Sequence, residues 1–229
     1  MLFISVKNSR PTTACPPRNT ASRCWRETAM LELSHVSFSY GKGKPNILTD
    51  ATLTAPDGTC TVLVGENGAG KSTLVGLLAG TLKADRGRVT HTGRLGYLPQ
   101  ESALLDDMTA RENLLFFSNL YGVPKPKDKE LPFGVAEFLD KRAGELSGGM
   151  KKRLSLACTL LGNPDTLLLD EPCASLDAHN QKLLTDILQD LRRNGKCILY
   201  IGHNEEEYRA FCDKRYRLCD GTVVEDLLF

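Results

Sequence analysis

The sequence predicts an α/β fold in which a largely parallel sheet is covered by helices on both faces. Apolar runs of strand length alternate with helical patterns. "CTVLVG" (60–65) precedes "KSTLVGLLAGTL" (71–82), and "TLLLD" (166–170) precedes an amphipathic segment at 178–193. This alternation is typical of parallel sheets. Between about 105 and 160 the pattern is helical, so we expect a helical lobe inserted into the sheet domain.

Composition limits the classes of function. The chain has 229 residues, 41% of them hydrophobic and 25% charged, which suffices for one core and a smaller lobe. A formal net charge of +1 offers no electrostatic basis for binding nucleic acid or an anionic membrane. No run approaches the roughly 20 apolar residues that span a bilayer. Any membrane function would therefore need another chain.

The cysteines form no CxxC pair and no zinc-type spacing, so we expect reduced thiols rather than disulfides or a metal site. They are Cys15, Cys24, Cys60, Cys158, Cys173, Cys197, Cys212 and Cys219.

Residues 1–29 show no periodicity and are rich in Pro, Ser, Thr and Arg, which predicts a disordered extension. An acid-poor, Arg-containing segment is also typical of an organellar transit peptide. Alternatively Met30 is the true start, which is the interpretation we favour.

The remaining elements follow in order. Alternation in "LELSHVSFSY" (31–40) predicts strand, and "GRLGYLPQ" (93–100) predicts a strand stopped by Pro99. Thr109 and Glu112 have capping-box spacing ahead of a helix. A Pro/Lys-rich connector then precedes "GVAEFLDKRAGEL" (134–146), which we predict to be a second helix of the lobe.

Further along, the helix at 178–193 is predicted to end at Asn194-Gly195, before a strand in "CILYIG" (197–202).

"GENGAGKS", Gly65 to Ser72, fits the phosphate-loop pattern G-x-x-x-x-G-K-[ST] between a strand and a helix. Glycines let the backbone curl so that N–H groups face phosphate oxygens, and the helix start adds partial positive charge. Lys71 would reach the β- and γ-phosphates, and the Ser72 hydroxyl would ligand Mg²⁺. We therefore predict nucleotide binding.

An acidic pair follows the apolar strand "TLLLD". Ligands bind at the carboxyl ends of strands in open α/β sheets. There Asp170 would hold Mg²⁺ through water, and Glu171 would act as general base or orient the attacking water. Taken alone, such a pair is more often a solvated strand end or a helix cap, but the phosphate loop favours the catalytic interpretation.

A second candidate anion site lies in "ELSGGMKKRL" (145–154). Ser147 and the N–H groups of Gly148 and Gly149 would face an anion at the start of a basic helix. The alternative is a glycine-linked helix start without a ligand.

Taken together, these motifs resemble those of ATP-binding cassette (ABC) proteins, in order and approximate spacing, over residues 30–229. The resemblance rests on "GENGAGKS", Gln100 in "YLPQE", "LSGGMKKR", "LLLDEP", Ser175-Leu176-Asp177 and His203 in "YIGHNEEE". It implies an ABC ATP-binding domain over 30–229. That domain would have a P-loop NTPase (RecA-like) core with a mostly parallel sheet, a small antiparallel β region and a helical subdomain at about 101–158.

The resemblance also implies ATP and Mg²⁺ as cofactors and assigns roles. Catalytic roles fall on Lys71, Glu171 and His203, and metal contacts on Ser72, Gln100 and Asp170. Nucleotide contacts fall on Tyr40, Gly65, Glu66, Asn67, Gly68, Ala69, Gly70, Lys71, Ser72, Thr73, Gln100, Ser147, Gly148, Gly149 and Asp177.

Simpler interpretations exist for three of these residues. Tyr40 would stack on adenine, although a strand aromatic is usually core. Gln100 would otherwise be an exposed loop amide. A lone histidine is ordinarily structural, as we interpret His35, His91 and His179, but His203 ends an apolar strand.

In the family the segment that corresponds to "LSGGMKKR" (146–153), called the signature, covers ATP held by a second cassette. Asp177 would contact that cassette. The implied partners are a second cassette, in a homo- or heterodimer, and separate transmembrane permease subunits, without nucleic acid. The implied location is cytoplasmic, on the inner face of the cell membrane.

Met150, where glutamine is most common, and "LDDMTARENLLFFSNLYG" are similar to the exporter branch. Cys173 and Ser175 stand where Thr and Gly are more usual. The competing functions are a soluble ABC ATPase acting on ribosomes or DNA and a subunit that senses ATP without hydrolysing it. The chain lacks the second cassette or long coiled-coil insertion expected of the former.

Overall fold

The computed structural model of the chain describes residues 29–226. The predictions for residues 1–28 lie outside the described residues. Within the described range the chain forms nine strands and five α-helices, in the order β1 (Ala29–Phe38), β2 (Leu48–Pro56), β3 (Cys60–Gly65), α1 (Lys71–Leu78), β4 (Arg86–His91), β5 (Leu95–Leu98), α2 (Ala110–Tyr121), α3 (Gly148–Leu160), β6 (Thr166–Asp170), α4 (Ala178–Arg193), β7 (Cys197–Ile201), α5 (Glu205–Tyr208), β8 (Lys214–Cys219) and β9 (Thr222–Glu225).

A six-stranded sheet forms the centre, with strand order β5-β6-β7-β3-β8-β9. Strands β5, β6, β7, β3 and β8 pair in parallel, and β9 closes an antiparallel hairpin on β8. Every residue of β6 and of β7 is buried. The predicted mostly parallel sheet is confirmed.

Alternate residues of β6 face two different cores. Leu167 and Leu169 pack with apolar residues of α2, α3 and α4. Leu168 packs on the other side with α1 and with the small sheet. Because successive side chains of a strand point to opposite faces, one apolar run serves both layers.

The small sheet has three antiparallel strands in the order β2-β1-β4. Its buried residues, among them Leu31, Leu33 and Leu53, belong to the same core as α1. The predicted antiparallel β region is thus confirmed, and it supports the helix that follows the phosphate loop.

The helical region is only partly as predicted. α2 begins at a complete capping box, in which Thr109 Oγ1 accepts from the Glu112 N–H and the Glu112 carboxylate accepts from the Thr109 N–H. The predicted helix over 134–146 is wrong, because this segment forms only short 3-10 turns at Val135–Phe138 and Ala143–Glu145.

Tertiary hydrogen bonds explain the missing helix. The carbonyls of Leu139 and Lys141 accept from the N–H groups of Arg111 and Ala110 at the start of α2, both at 2.9 Å. The Ala143 N–H, which a helix would direct to Leu139, donates instead to Met108 O at 2.8 Å. These backbone groups are therefore bonded to the start of α2 and to the residues just before it, and they are not available for the hydrogen bonds within a helix over 134–146.

The six cysteines within the described range are free thiols, four of them buried. Burial raises the pKa of Cys158 above its ordinary value. Across residues 29–226 no helix combines the length and apolar character that crossing a bilayer demands.

Candidate functional site

The glycine-rich loop joins the end of β3 to the start of α1. The residue before the helix, Gly70, has φ 103°, and no side chain caps the helix start. Gly68 has φ 82° with open space where a Cβ would lie. The first amides of α1 are thus available to a ligand, as an anion site requires.

Two glycines of this loop are needed because other atoms approach closely. A Cβ at Gly65 would lie 2.7 Å from the Leu218 carbonyl oxygen, and one at Gly70 would lie 2.9 Å from Ile47 Cγ2. Lys71 Nζ donates to the carbonyls of Gly65 at 2.7 Å and Glu66 at 2.9 Å. The loop therefore curls around its own lysine.

Most of the predicted nucleotide site lines one cleft of about 790 Å³, which lies within the ordinary range for ligand pockets. The cleft is lined by Tyr40, Ile47, Gly65, Glu66, Asn67, Gly68, Gly70, Lys71, Ser72, Thr73, Gln100, Asp170, Glu171 and His203. Ala69 is the exception among the loop residues, since it packs against the core beneath. Ile47 was missed, because nothing in its local sequence distinguishes it from a core residue.

Tyr40 stands at the cleft with 58% of its surface exposed. Its hydroxyl hydrogen-bonds Thr73 Oγ1 at 2.9 Å, and its ring packs edge-on against Phe38 at 5.0 Å between centroids. The ring is thus fixed in orientation while remaining accessible, as stacking on a flat base requires.

The acidic pair, Asp170 and Glu171, lines the same cleft at the end of β6. Asp170 is buried, and burial followed by the charge of Glu171 raises its pKa, although Lys152 and Lys71 oppose this. A cation close to the buried Asp170 carboxylate would stabilise its ionised form.

Glu171 has φ 48°, a left-handed backbone that costs a non-glycine residue about 1–2 kcal/mol. Gln100 Nε2 donates to its Oε2 at 3.3 Å, and His203 Nδ1 lies 3.6 Å from its Oε1. His203 itself is 73% exposed at the cleft. The structure therefore brings Gln100, Glu171 and His203 together, as their motifs predict.

Contacts at two further places were not predicted. Lys152 Nζ, from α3, donates to the Glu171 carbonyl at 3.2 Å. In the strand before His203, Tyr200 donates its hydroxyl to Glu207 at 2.8 Å, and a Cβ at Gly202 would lie 2.5 Å from the Tyr200 ring. These contacts join residues distant in sequence or hidden in apolar runs, so no local pattern indicates them.

The predicted metal contacts, Ser72, Gln100 and Asp170, all line the cleft and offer hydroxyl, amide and carboxylate oxygens. Such oxygens suit Mg²⁺, which proteins commonly hold through one or two carboxylates together with substrate phosphates. Among residues 29–226 no three His, Cys, Asp or Glu side chains gather into a metal site. A hydroxyl, an amide and one carboxylate are the donor set expected for a metal that is shared with a phosphate ligand.

The second glycine motif lies at the start of α3. Ser147 precedes the helix, and its side chain accepts from the Met150 N–H at 3.3 Å. A cavity of about 110 Å³ lies beside it and shares no lining residue with the large cleft. Its lining consists of Ser147, Gly149, Met150, Arg153, Ser175, Leu176, Asp177 and Asn180.

The loop after the acidic pair packs tightly on this helix start. A Cβ at Gly149 would lie 2.8 Å from the Ser175 carbonyl oxygen. Gly148 does not line the small cavity, although it too faces Ser175. Asp177 accepts from the Asn180 N–H at 2.8 Å and so caps α4, and this bond lowers its pKa. Ser147, Gly149 and Asp177 are thus grouped apart from the nucleotide cleft.

A strand, a glycine loop around a lysine, an uncapped helix start and an acidic strand end together define a P-loop NTPase. Residues 48–174 match the family model described as "ABC transporter". The chain belongs to the ABC transporter family.

The chain is 37% identical over 207 residues to the Nod factor export ATP-binding protein I of Rhizobium sp. (strain N33), covering 82% of this chain and 66% of that protein, slightly under two thirds. It is 34% identical to the ABC transporter ATP-binding protein NatA of Bacillus subtilis (strain 168), covering 76% and 79%. A solved ATP-binding subunit of an ABC transporter superposes with a TM-score of 0.80 at 26% identity, covering 87% and 90%.

Proposed function

We propose that this chain binds ATP with Mg²⁺, hydrolyses it, and thereby powers export by separate membrane-spanning subunits. The observation that carries hydrolysis is the position of Glu171. It lies in the same cleft as the phosphate loop, with its carboxylate held between Gln100 and His203.

The residues of the cleft divide the chemistry among them. The amides at the start of α1 and the Lys71 ammonium bind the phosphates, and Tyr40 stacks on the base. Ser72, Gln100 and Asp170 would hold Mg²⁺, which supplies charge neutralisation of the phosphates. Glu171 accepts a proton from the attacking water, and His203 orients the terminal phosphate.

We further propose that two cassettes act together. Ser147, Gly149 and Asp177 line a cavity separate from the nucleotide cleft of their own chain. A head-to-tail pair would place this group over the nucleotide held by the other copy. Asp177 accepts a hydrogen bond from Asn180 of its own chain, and its remaining lone pairs would accept hydrogen bonds from the partner cassette.

Export is the direction that the relatives support. One is named as a Nod factor export protein, and another, from Bacillus subtilis (strain 168), as a linearmycin resistance protein. Met150 after the two glycines agrees with that branch. The chain would accordingly act at the inner face of the cell membrane, bound to permease subunits.

Glu171→Gln tests the proposed function. ATP hydrolysis should fall by about a hundredfold or more, the range for loss of a general base. The affinity for ATP should change by less than about threefold, because the amide is nearly isosteric. Phosphate release and nucleotide titration measure the two quantities.

The matched control is Glu137→Gln, the same change at an exposed carboxylate outside both cavities. It should leave hydrolysis intact. Undiminished turnover by Glu171→Gln would reject Glu171 as the base, and with it the proposed mechanism.

A further inference from the structure

We propose that Lys152 is a positioning residue for Glu171. Through Lys152, helix α3, which begins after Ser147, is tied to the turn of the same chain that contains Glu171 and Ala174, here called the catalytic turn. This inference rests on the proposed function, because it assigns Lys152 a part in the hydrolysis that Glu171 carries out.

The first support is the geometry of the Glu171 peptide. Its N–H donates to Ile201 O at 3.0 Å, and its carbonyl accepts from the Ala174 N–H and from Lys152 Nζ, both at 3.2 Å. The left-handed φ of Glu171 needs such contacts to persist, since the conformation is unfavourable for a residue with a side chain. Lys152 is the only side chain in this set of three partners.

The second support is that the three consecutive basic residues 151–153 near the start of α3 have different partners. Lys151 pairs with Asp106 at 2.9 Å. Arg153 donates to Phe133 O at 3.1 Å and lies 5.0 Å from the centre of the Phe138 ring. Both side chains therefore contact the helical region, whereas Lys152 contacts the catalytic turn.

The position of Lys152 on α3 gives this contact a consequence. Ser147 caps the helix, and Lys152 lies five residues later, about 7–8 Å along a helix rising 1.5 Å per residue. A helix moves as a rigid rod over such a distance. A ligand that draws the start of α3 toward it would therefore shift Lys152 relative to the Glu171 carbonyl, which couples the two sites of one chain.

The test compares Lys152→Met with Lys151→Met. Methionine fills a similar volume without a donor, so kcat for ATP should fall by about tenfold or more, as expected when a catalytic group is misplaced. The KM for ATP should stay within about twofold and the Tm within about 3 °C, because neither the phosphate loop nor the core changes. Lys151→Met, next to it on the same helix, should keep kcat within about twofold.

Lys152→Arg restores a charged donor and should recover most of the lost kcat. Should Lys152→Met lower the Tm by more than about 3 °C, Lys152→Gln replaces it, because the glutamine side chain is one bond shorter than that of lysine and its amide stops short of the Glu171 carbonyl. A full kcat in the variant used, an equal loss in Lys151→Met, or a loss of kcat accompanied by a lower Tm in both Lys152 variants would overturn the inference.

The double variant Lys152→Met with Glu171→Gln separates this inference from the proposed function. If Lys152 acts through Glu171, its loss should add less than about twofold to the low residual rate of Glu171→Gln. A further tenfold loss would mean that Lys152 acts elsewhere. Full turnover by Glu171→Gln alone would instead refute the proposed function.

Discussion

The two glycine motifs of this chain both open a helix, yet they differ in what surrounds them. The start of α1 has no side-chain cap, encircles Lys71 and opens into a cleft of about 790 Å³. The start of α3 is capped by Ser147 and borders a cavity of about 110 Å³. The first has Lys71, metal-type oxygens and the Glu171 carboxylate, whereas in the second Arg153 is accompanied by the carboxylate of Asp177 and by uncharged polar side chains.

This difference explains why one small protein carries both motifs. The α1 cleft has the groups of a complete site, and the α3 cavity is too small and too poor in charge to hold a triphosphate by itself. A small site of this kind is suited to completing a ligand held by another molecule. Damage to the two motifs should therefore separate nucleotide binding from association.

The largest expected effect is at the phosphate loop. Lys71→Ala removes a charged donor, and two charge-assisted hydrogen bonds at about 1.5–3 kcal/mol each make a loss of about a hundredfold or more in ATP affinity the expected result. Titration with a fluorescent nucleotide measures it. Lys182→Ala, an exposed lysine on α4, is the control. Unchanged affinity in the Lys71 variant would remove the distinction between the motifs.

The second effect is on association. Ser147→Arg, made in Glu171→Gln, should abolish dimerisation with ATP, because a long side chain fills the small cavity. Monomer affinity for ATP should stay within about twofold, since no lining residue is shared. Sedimentation with and without ATP measures it, with Asn119→Arg on the exposed face of α2 as control. A normal ATP-dependent dimer would show that the α3 motif is not an interface.

A smaller effect is expected at Tyr40. Tyr40→Ala should weaken ATP binding by about tenfold, within the range for base–aromatic stacking. Tyr40→Phe keeps the ring and loses only the bond to Thr73, so its affinity should fall by less than about threefold. Equal affinities in all three proteins would place the base elsewhere in the cleft.

The smallest effect concerns the helix starts themselves. Ser147→Ala removes the cap of α3 and should cost about 1 kcal/mol, whereas Ser147→Gly should cost only a few tenths. For a chain of this size the first change corresponds to a Tm lower by about 2–4 °C. Calorimetry with nucleotide titration would check that ATP affinity is unaffected. A Tm that does not change would mean that the cap contributes nothing.

Predictions from the sequence succeeded where a pattern is local. The structure confirms β3 and β6 at their predicted bounds, and the capping box at Thr109, because strand alternation and short-range hydrogen bonds need only neighbouring residues. The helix over 134–146 failed because its carbonyls bond the distant start of α2. Lys152 and Ile47 were missed because their contacts with the site are made to residues distant in sequence, Glu171 and Gly70 respectively. The roles assigned to the site residues stay predictions, although the cleft gathers most of them.

The crowding between Gly202 and Tyr200 constrains how this chain can change over generations. A methyl group at position 202 would collide with the Tyr200 ring. We therefore expect a replacement of Gly202 to be tolerated only when Tyr200 has been replaced by a smaller residue. The two positions should therefore mutate as a pair. A library randomised at 202 alone should return glycine almost exclusively, while one randomised at both should return new combinations that still carry His203 at the cleft.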